Sequence, residues 1–561
     1  MRPVPRASLP RCSLVAASLA ASLGLASRAN AASLEPWSDD DGKDRTLRTT
    51  IIPGGDWGFR GGVEYRAAGL WISPVALSDA TNAKVSWLEH RLRLDAGIDW
   101  QERVRIVASA DVLDGVLWGD NGNYQGTPSS NSGTNVNAKS PNVTRPCVAL
   151  VGPNPLDYNS YAWTVCEQSS VSIRRAYADV VLPFGVLRIG RQAANIGAGV
   201  QNNDGEGLTN RFGFSRTGNV VDRVLFATKP LEALKPEDER DKTEARGLVV
   251  AIAYDRMVTD NPMDFGTAVH QVDAAFRYAE PELWGARDVL VAGYYAHRWD
   301  DQYSTSIHSL GLRAMARLGD FHAGFDAVAN LGSTQEVADA YHLITNDPVV
   351  SQTIRQFGAR GVVRYDRPLF SLYLEGDYAS GNDDPRVRQP LTQFTWAEDT
   401  NVGLLMFKQV LAFQTARSAA AAVETLRRLG ATTFPAQTID TLGAFSNAIA
   451  IFPQFDVRPL PELLFRGGVL VAWGATTVVD PVASLENRTS NDWQKDLLNY
   501  VGGKPGRFYG VELDGRVQWR PMPHVFFDVE GAILFPGDAF KDENGDAVRS
   551  VLVQGRATVQ F

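Results

Sequence analysis

The chain has 561 residues, with 55 lysines and arginines against 64 aspartates and glutamates, a formal charge of −9, and 44% hydrophobic residues. An acidic balance argues against nucleic-acid binding, and past residue 31 no segment offers the ~20 consecutive apolar residues of a helical span. The remaining classes are a large soluble β protein and a membrane β-barrel.

The chain opens "MRPVPRASLPRCSLVAASLAASLGLASRANAAS". Arg2, Arg6, Arg11 and Arg28 flank an apolar core from Leu14 to Leu25, and the small residues Ala29-Asn30-Ala31 follow. That is the pattern of a secretory signal, residues 1–31, cleaved after Ala31. Without its four arginines the chain carries 51 basic against 64 acidic residues, a charge of −13. Residues 32–56 read as a periplasmic N-terminal segment and 57–561 as one barrel domain. Cys12 falls in the signal, which leaves Cys147 and Cys166 to close an external loop as a disulfide in an oxidising compartment.

From residue 57 one motif repeats: about ten residues of period-two hydrophobicity, then a tight turn or a long polar loop. In "WLEHRLRLDAGIDWQERVRIVASADVLDG", Leu88, Leu92, Leu94, Ala96, Ile98 and Trp100 share one phase, and Glu89, Arg91, Arg93, Asp95 and Asp99 share the other. A 3.6-residue period would scatter those charges around an axis, so these are strands. Equivalent turns stand at Pro183-Phe184-Gly185, Gly319-Asp320, Asp366-Arg367-Pro368 and Pro521-Met522-Pro523. Strands are expected at 57–67, 86–100, 103–113, 171–182, 186–192, 219–228, 245–256, 267–279, 287–299, 305–318, 321–331, 354–366, 368–380, 443–457, 463–476, 507–520, 524–535 and 548–561. Short turns follow even-numbered strands, and the long connections 114–170, 193–218, 332–353, 381–442 and 477–506 follow odd ones. This predicts an all-β fold: an up-and-down antiparallel transmembrane barrel of about 18 strands, with long external loops and short periplasmic turns. Aromatics near strand ends (Trp57, Trp71, Trp87, Trp100, Tyr254, Tyr294, Trp299, Tyr365, Tyr378, Trp519 and Phe561) match interfacial girdles.

One stretch, 401–430, has helical spacing and ends at Gly430. It either caps an external loop or folds over or into the pore. The last strand, "SVLVQGRATVQF", alternates Val551, Val553, Gly555, Ala557, Val559 and Phe561 with Gln554, Arg556, Thr558 and Gln560. It is expected to pair with the first strand and leave no edge in lipid.

In a barrel the second phase faces the lumen. Arg91, Arg93, Arg105, Arg175, Arg188, Arg313, Arg317, Arg360, Arg364, Arg466, Arg516 and Arg556 fall on it, as do Asp95, Asp179, Asp273, Asp326, Glu375, Asp377, Asp514, Asp528 and Glu530. A charge facing mid-bilayer lipid costs ~2–4 kcal/mol, so these side chains must line water or pair, and a non-polar plug is excluded as the main filling. About half pair across the lumen on this reading, and the slight arginine excess favours anionic solutes.

Two motifs then resemble a known family. "LRIGRQAANIGAGVQNNDGEG" (187–207) looks like the strand-plus-loop motif of alginate-export-type outer-membrane porins, and "LEGDYASGNDDP" (374–385) is similar to a later turn of those proteins. "NVGLLMFKQVL" resembles a segment of related uncharacterised myxobacterial outer-membrane β-barrel proteins. The resemblance implies a monomeric, eighteen-stranded, arginine-lined channel in the outer membrane of a Gram-negative-type bacterium, passing an anionic polysaccharide. Carried over, Arg188 and Arg191 lie on the pore wall by the first motif and Asp377 by the second. Arg191 shares the phase of Leu187 and Ile189, so an inward Arg191 requires a bulge or an end effect. Expected partners are the lipid bilayer, the outer-membrane assembly machinery reading the terminal Phe561, and a polar or anionic solute.

Other classes are weaker. The chain after the signal has seven histidines, His90, His270, His297, His308, His322, His342 and His524, none flanked by a nucleophile motif. No cofactor is read. Asp39-Asp40-Asp41-Gly42 and Asp542-Glu543-Asn544-Gly545-Asp546 lack the full calcium-loop pattern and read as solvated charge. The competing reading of the whole is a surface structural or adhesive barrel that displays long loops over a closed lumen.

Overall fold

The computed structural model describes residues 36–37 and 52–561, apart from 55, 76, 78–84, 102, 120–145, 148–163, 166–170, 195–196, 208, 216–217, 242–245, 260–268, 301–303, 385, 387, 416–440, 442, 481–482, 485–486, 491 and 498. The expected signal at 1–31 and the Asp39–Asp41 cluster lie outside these residues. So does the Cys147–Cys166 disulfide, of which only a backbone pairing of Cys147 with Thr164 is described.

Eighteen described strands form the staves of one antiparallel sheet that closes on itself. They are β1 (Trp57–Ser73), β2 (Val85–Trp100), β3 (Val104–Gly119), β4 (Val171–Leu182), β5 (Gly185–Ala193), β6 (Val220–Thr228), β7 (Gly247–Thr259), β8 (His270–Leu283) and β9 (Ala286–Asp300). The circuit continues through β10 (Thr305–Leu318), β11 (Phe321–Thr334), β12 (Gln352–Asp366), β13 (Phe370–Ala379), β14 (Ala448–Leu460), β15 (Leu463–Gly474), β16 (Phe508–Met522), β17 (Val525–Pro536) and β18 (Ser550–Gln560). A three-residue strand, Ile52–Gly54, pairs beside the start of β1.

Closure follows the expected register. β18 pairs with β1 from Ser73↔Val551 to Glu64↔Gln560, and Val63 and Phe561 exchange both backbone hydrogen bonds at 2.9 and 3.0 Å. No strand edge is left to lipid, where each unpaired amide would cost several kcal/mol.

The two faces separate as the alternation requires. Val553 on β18, Leu513 and Val517 on β16, and Ile106 on β3 are exposed outward, while Gln554, Arg516 and Asp111 on the same strands are buried inward. Outward aromatics mark the short-turn end: Trp57 against Trp100 with centroids 6.3 Å apart, Phe321 against Tyr365 at 4.9 Å, and Trp519 against Phe527 at 5.7 Å. Near the opposite end the outer face carries Tyr254–His270 and Tyr295–His308 hydrogen bonds, both 2.7 Å. Trp87 and Tyr294, expected in the girdles, instead fall on the inner face. Trp87 donates to Glu89 at 3.2 Å, and Tyr294 packs against the core inside the barrel.

The hydrocarbon-facing assignment is directly testable. Val553→Arg should cost about 2–4 kcal/mol in reversible denaturant unfolding in lipid, because it places a guanidinium at mid-strand in hydrocarbon. Gln554→Ser, one residue away on the inner face, should change the midpoint far less.

Candidate functional site

The inner face is charged, and the side chains there hold two chain segments inside the barrel. The first is the connection 194–219 between β5 and β6. Its polar anchors reach nine staves. Ala198 N donates to Asp326 Oδ2 at 2.7 Å, and Arg360 returns hydrogen bonds to the carbonyls of Ala198 and Thr209 at 3.2 and 3.4 Å. Arg66 donates to Ser215 O at 2.8 Å, and Arg174 donates to Asp204 O. Arg211 lies deepest: its carbonyl accepts from Arg466 at 2.5 Å and Arg516 at 2.8 Å, and its guanidinium reaches Gln454 and Asp456 at 2.7 and 2.8 Å. The same guanidinium stacks on Tyr373, 4.0 Å from the ring centroid. Gly213 N meets Glu530 at 3.2 Å. The approach is close enough that a Cβ on Gly197, at φ +66, would lie 2.0 Å from Asp326 Oδ2.

Glu206 is the acidic anchor of this loop, 2.7 Å from Arg93 and 3.1 Å from Arg175. Burial pushes its carboxyl up, but Arg93, Arg175 and Arg174 outweigh burial and hold it well below the ordinary carboxylate range. Asp204 moves the other way, raised by burial and then by the charge of Glu206.

The second inserted segment is 391–415. It is zipped to the first through Ala397 N to Val200 O (3.0 Å), Thr400 Oγ1 to Gly199 O (2.7 Å) and Asn401 N to Asn210 Oδ1 (2.9 Å). One carboxylate, Glu512 on β16, accepts the amides of Leu404, Leu405 and Met406 at 2.7, 2.7 and 2.6 Å, where a helical turn, α1 (Met406–Leu411), begins. Those amides have no intrahelical partner, so a buried carboxylate satisfies them. Phe407, Val410, Leu411 and Phe413 then pack on Phe445, Phe452, Leu470 and Tyr509 of the wall and its approach. The expected helix at 401–430 starts later, at Met406, and its residues 416–430 lie outside the described residues; the described part lies inside the barrel rather than capping a loop. The lumen also contains an apolar cluster, whereas the sequence reading excluded a non-polar plug as the main filling. Its wall side shows in the sequence as lost alternation, since Ala448–Phe452 and Val469–Trp473 are apolar on both faces.

Each sequence-expected lumen residue can now be placed. Arg91 binds Glu64 at 2.7 Å, Arg93 binds Asp111 at 2.6 Å, Arg105 binds Asp99 at 2.6 Å and Arg188 binds Asp179 at 2.5 Å. Arg360 binds Glu375 at 2.5 Å with Asp377 at 3.8 Å, Arg364 binds Asp366 at 2.7 Å, and Arg516 and Arg556 share Asp528 at 2.7 and 2.5 Å. Asp95, Arg175, Arg313 and Arg317 are inner-face residues that stay partly accessible. Arg191 differs. No bulge turns it, so it keeps the outward phase of Ile189 and pairs with Asp222 at 2.8 Å on the outer surface. Arg174 was passed over because alternation gives an inward place only to Arg175. A bulge sets Ser109 opposite Arg175 and Ala110 opposite Ile173, so both arginines turn inward.

Accessibility divides the inner face. Arg360, Arg466 and Arg516 are buried to 1%, 3% and 2%, whereas Arg277, Arg298 and Arg313 on β8–β10 remain partly exposed. The β8–β10 wall therefore carries accessible cationic surface, as do Arg105 on β3 and Arg175 on β4.

Two outcomes follow. Arg360→Ala removes one partner of a buried ion pair and two loop anchors, and should destabilise the folded barrel by roughly 3–5 kcal/mol in denaturant titration. A carboxyl depressed on folding stabilises above its ordinary pKa, and that stability is lost only as pH falls through the folded value. Glu206 should therefore keep its ion pairs with Arg93 and Arg175 from neutrality down to about pH 4. Glu206→Gln should lower the denaturant midpoint throughout that window.

No family model matches the chain, and no curated protein does. Among solved structures it is similar to Acinetobacter baumannii OccAB1 at 9% identity, over 92% of this chain and 98% of that one, with a TM-score of 0.47. Pseudomonas aeruginosa OccK2 (OpdF) aligns at 10% identity over 90% and 97%, with a TM-score of 0.45. Pseudomonas aeruginosa OpdK, solved with vanillate, aligns at 9% over 89% and 98%, with a TM-score of 0.44. Neither these solved structures nor any family model supports the alginate-export resemblance. The chain is a closed eighteen-stranded antiparallel β-barrel with an apolar outer face, a charged inner face, short turns at one end and long connections at the other.

Proposed function

We propose that this barrel is a passive channel for small anionic solutes, with a passage along the β8–β10 wall. The observation that carries this reading is the division of the inner face. Arginines on β12–β16 are consumed in buried pairs and in bonds to the 194–219 backbone, while Arg277, Arg298 and Arg313 keep accessible surface. A cationic lining in a narrow, partly desolvated passage lowers the barrier for anions and raises it for cations. Asp273 and Asp95, partly accessible on the same inner face, keep the lining from being uniformly positive.

The cargo that fits is small. A polysaccharide, as the alginate-export resemblance implies, needs a cross-section that 194–219 and 391–415 occupy. Assembly machinery acting on the Phe561 terminus belongs to the same proposal. Pore lining by Arg91, Arg93 and Arg360 is replaced in it by lining at Arg298 and Arg313, since the former three are buried by their partners.

Reversal potentials across a salt gradient in planar bilayers test the reading. The wild type should prefer anions, and Arg298→Gln with Arg313→Gln should reduce the preference severalfold at low salt, where screening is weak. Absence of current from a correctly folded barrel would favour the display barrel with a closed lumen.

A further inference from the structure

Pro36 and Trp37, far from any stave in sequence, lie inside the barrel. Trp37 has 0% exposure and belongs to a cluster with Ala198, Leu290, Ala292, Met315, Val362 and Tyr373. Five of these six are inner-face residues of β9, β10, β12 and β13, and they lie within a few residues of the short turns at 284–285, 319–320 and 367–369. The indole therefore sits in the periplasmic part of the lumen, on the staves that carry Arg313, level with Ala292, and Arg298 farther up. The wall is shaped to receive it. A Cβ on the inner-face Gly324 would lie 2.7 Å from the Trp37 ring and 2.9 Å from Pro36. From above, Ala198 of the inserted 194–219 loop closes on it, and Tyr373 joins it to Arg211, the deepest residue of that loop.

We infer that Pro36–Trp37 is a built-in wedge: Trp37 occupies the periplasmic end of the passage and, as a positioning residue, braces the loop that narrows it. The inference rests on the passage proposed above along β8–β10. Burying an indole against Leu290, Met315 and Val362 supplies apolar burial that secures the wedge. The wedge limits flux by volume, whereas Arg298 and Arg313 act on the sign of the ion.

Trp37→Ala and Trp37→Phe in the full chain separate these roles, with heat-modifiable gel mobility as the check on barrel folding. Trp37→Ala should raise single-channel conductance about twofold, because conductance follows the narrowest cross-section, and should leave the sign of selectivity unchanged. Trp37→Phe should restore most of the wild-type value. A parallel readout works without current: Met315→Cys, with Cys147→Ser and Cys166→Ser, should react faster with a periplasmic thiol reagent once Trp37 is Ala. Conductance and Met315→Cys reactivity both unmoved by Trp37→Ala would overturn the wedge and leave the passage standing. Faster thiol reaction with no current in any variant would uphold the wedge and sink the passage.

Discussion

Arginine guanidinium groups on the barrel wall donating to backbone carbonyls of the 194–219 loop are the interaction on which the interior depends. An inserted loop carries main-chain groups away from water, and each one left unpaired is costly. Arg66, Arg174, Arg360, Arg466 and Arg516 satisfy five of those carbonyls, and Asp326 and Glu530 take loop amides. The same arginines are neutralised by wall carboxylates such as Asp456, Glu375 and Asp528. A charged inner face is therefore first a polar core that holds a loop in place. What it offers a solute is the remainder.

That remainder lies to one side. The 391–415 segment adds an apolar filling against the β14–β17 wall, fixed by Glu512 capping three amides at the start of α1. With 194–219 anchored on β1, β2, β4, β11, β12 and β14–β17 and 391–415 packed on β14–β17, accessible charge is left on β8–β10. The lumen is thus asymmetric, and charge counts over the whole inner face do not measure selectivity. Trp37 lies on the same side, against Ala292 in the row of Arg277 and Arg313, and below Arg298.

The staves were legible because a two-sided surface imposes period two on every strand, and most strand ends agree within a few residues. Inward residues followed by parity, as with Arg93, Arg188 and Arg516. Parity failed where the backbone departs from pure alternation or where a resemblance was preferred to it. Arg174 turns inward at a bulge that leaves no residue signature, and Arg191 stays outward as its phase with Ile189 indicates. The inserted loop was harder to read. Arg211 meets Asp456, 245 residues away, and Glu206 meets Arg93, 113 residues away, so nothing local distinguishes either from a solvated loop charge. Trp37 was equally hidden, since one tryptophan in a segment without periodicity carries no address. Long-range pairing between a loop and a wall is a property of the closed barrel.

The central claim is that solute passes the β8–β10 wall while the β14–β17 wall is sealed by the inserted segments. Cysteine accessibility measures this most directly. Arg313→Cys and Arg516→Cys, each with the native cysteines replaced, would be treated with a small anionic thiol reagent during single-channel recording. The account predicts rapid modification and a stepwise fall in current at position 313, with position 516 unreactive until the barrel is unfolded. Equal reactivity at both positions, or reaction at 516 alone, would contradict it.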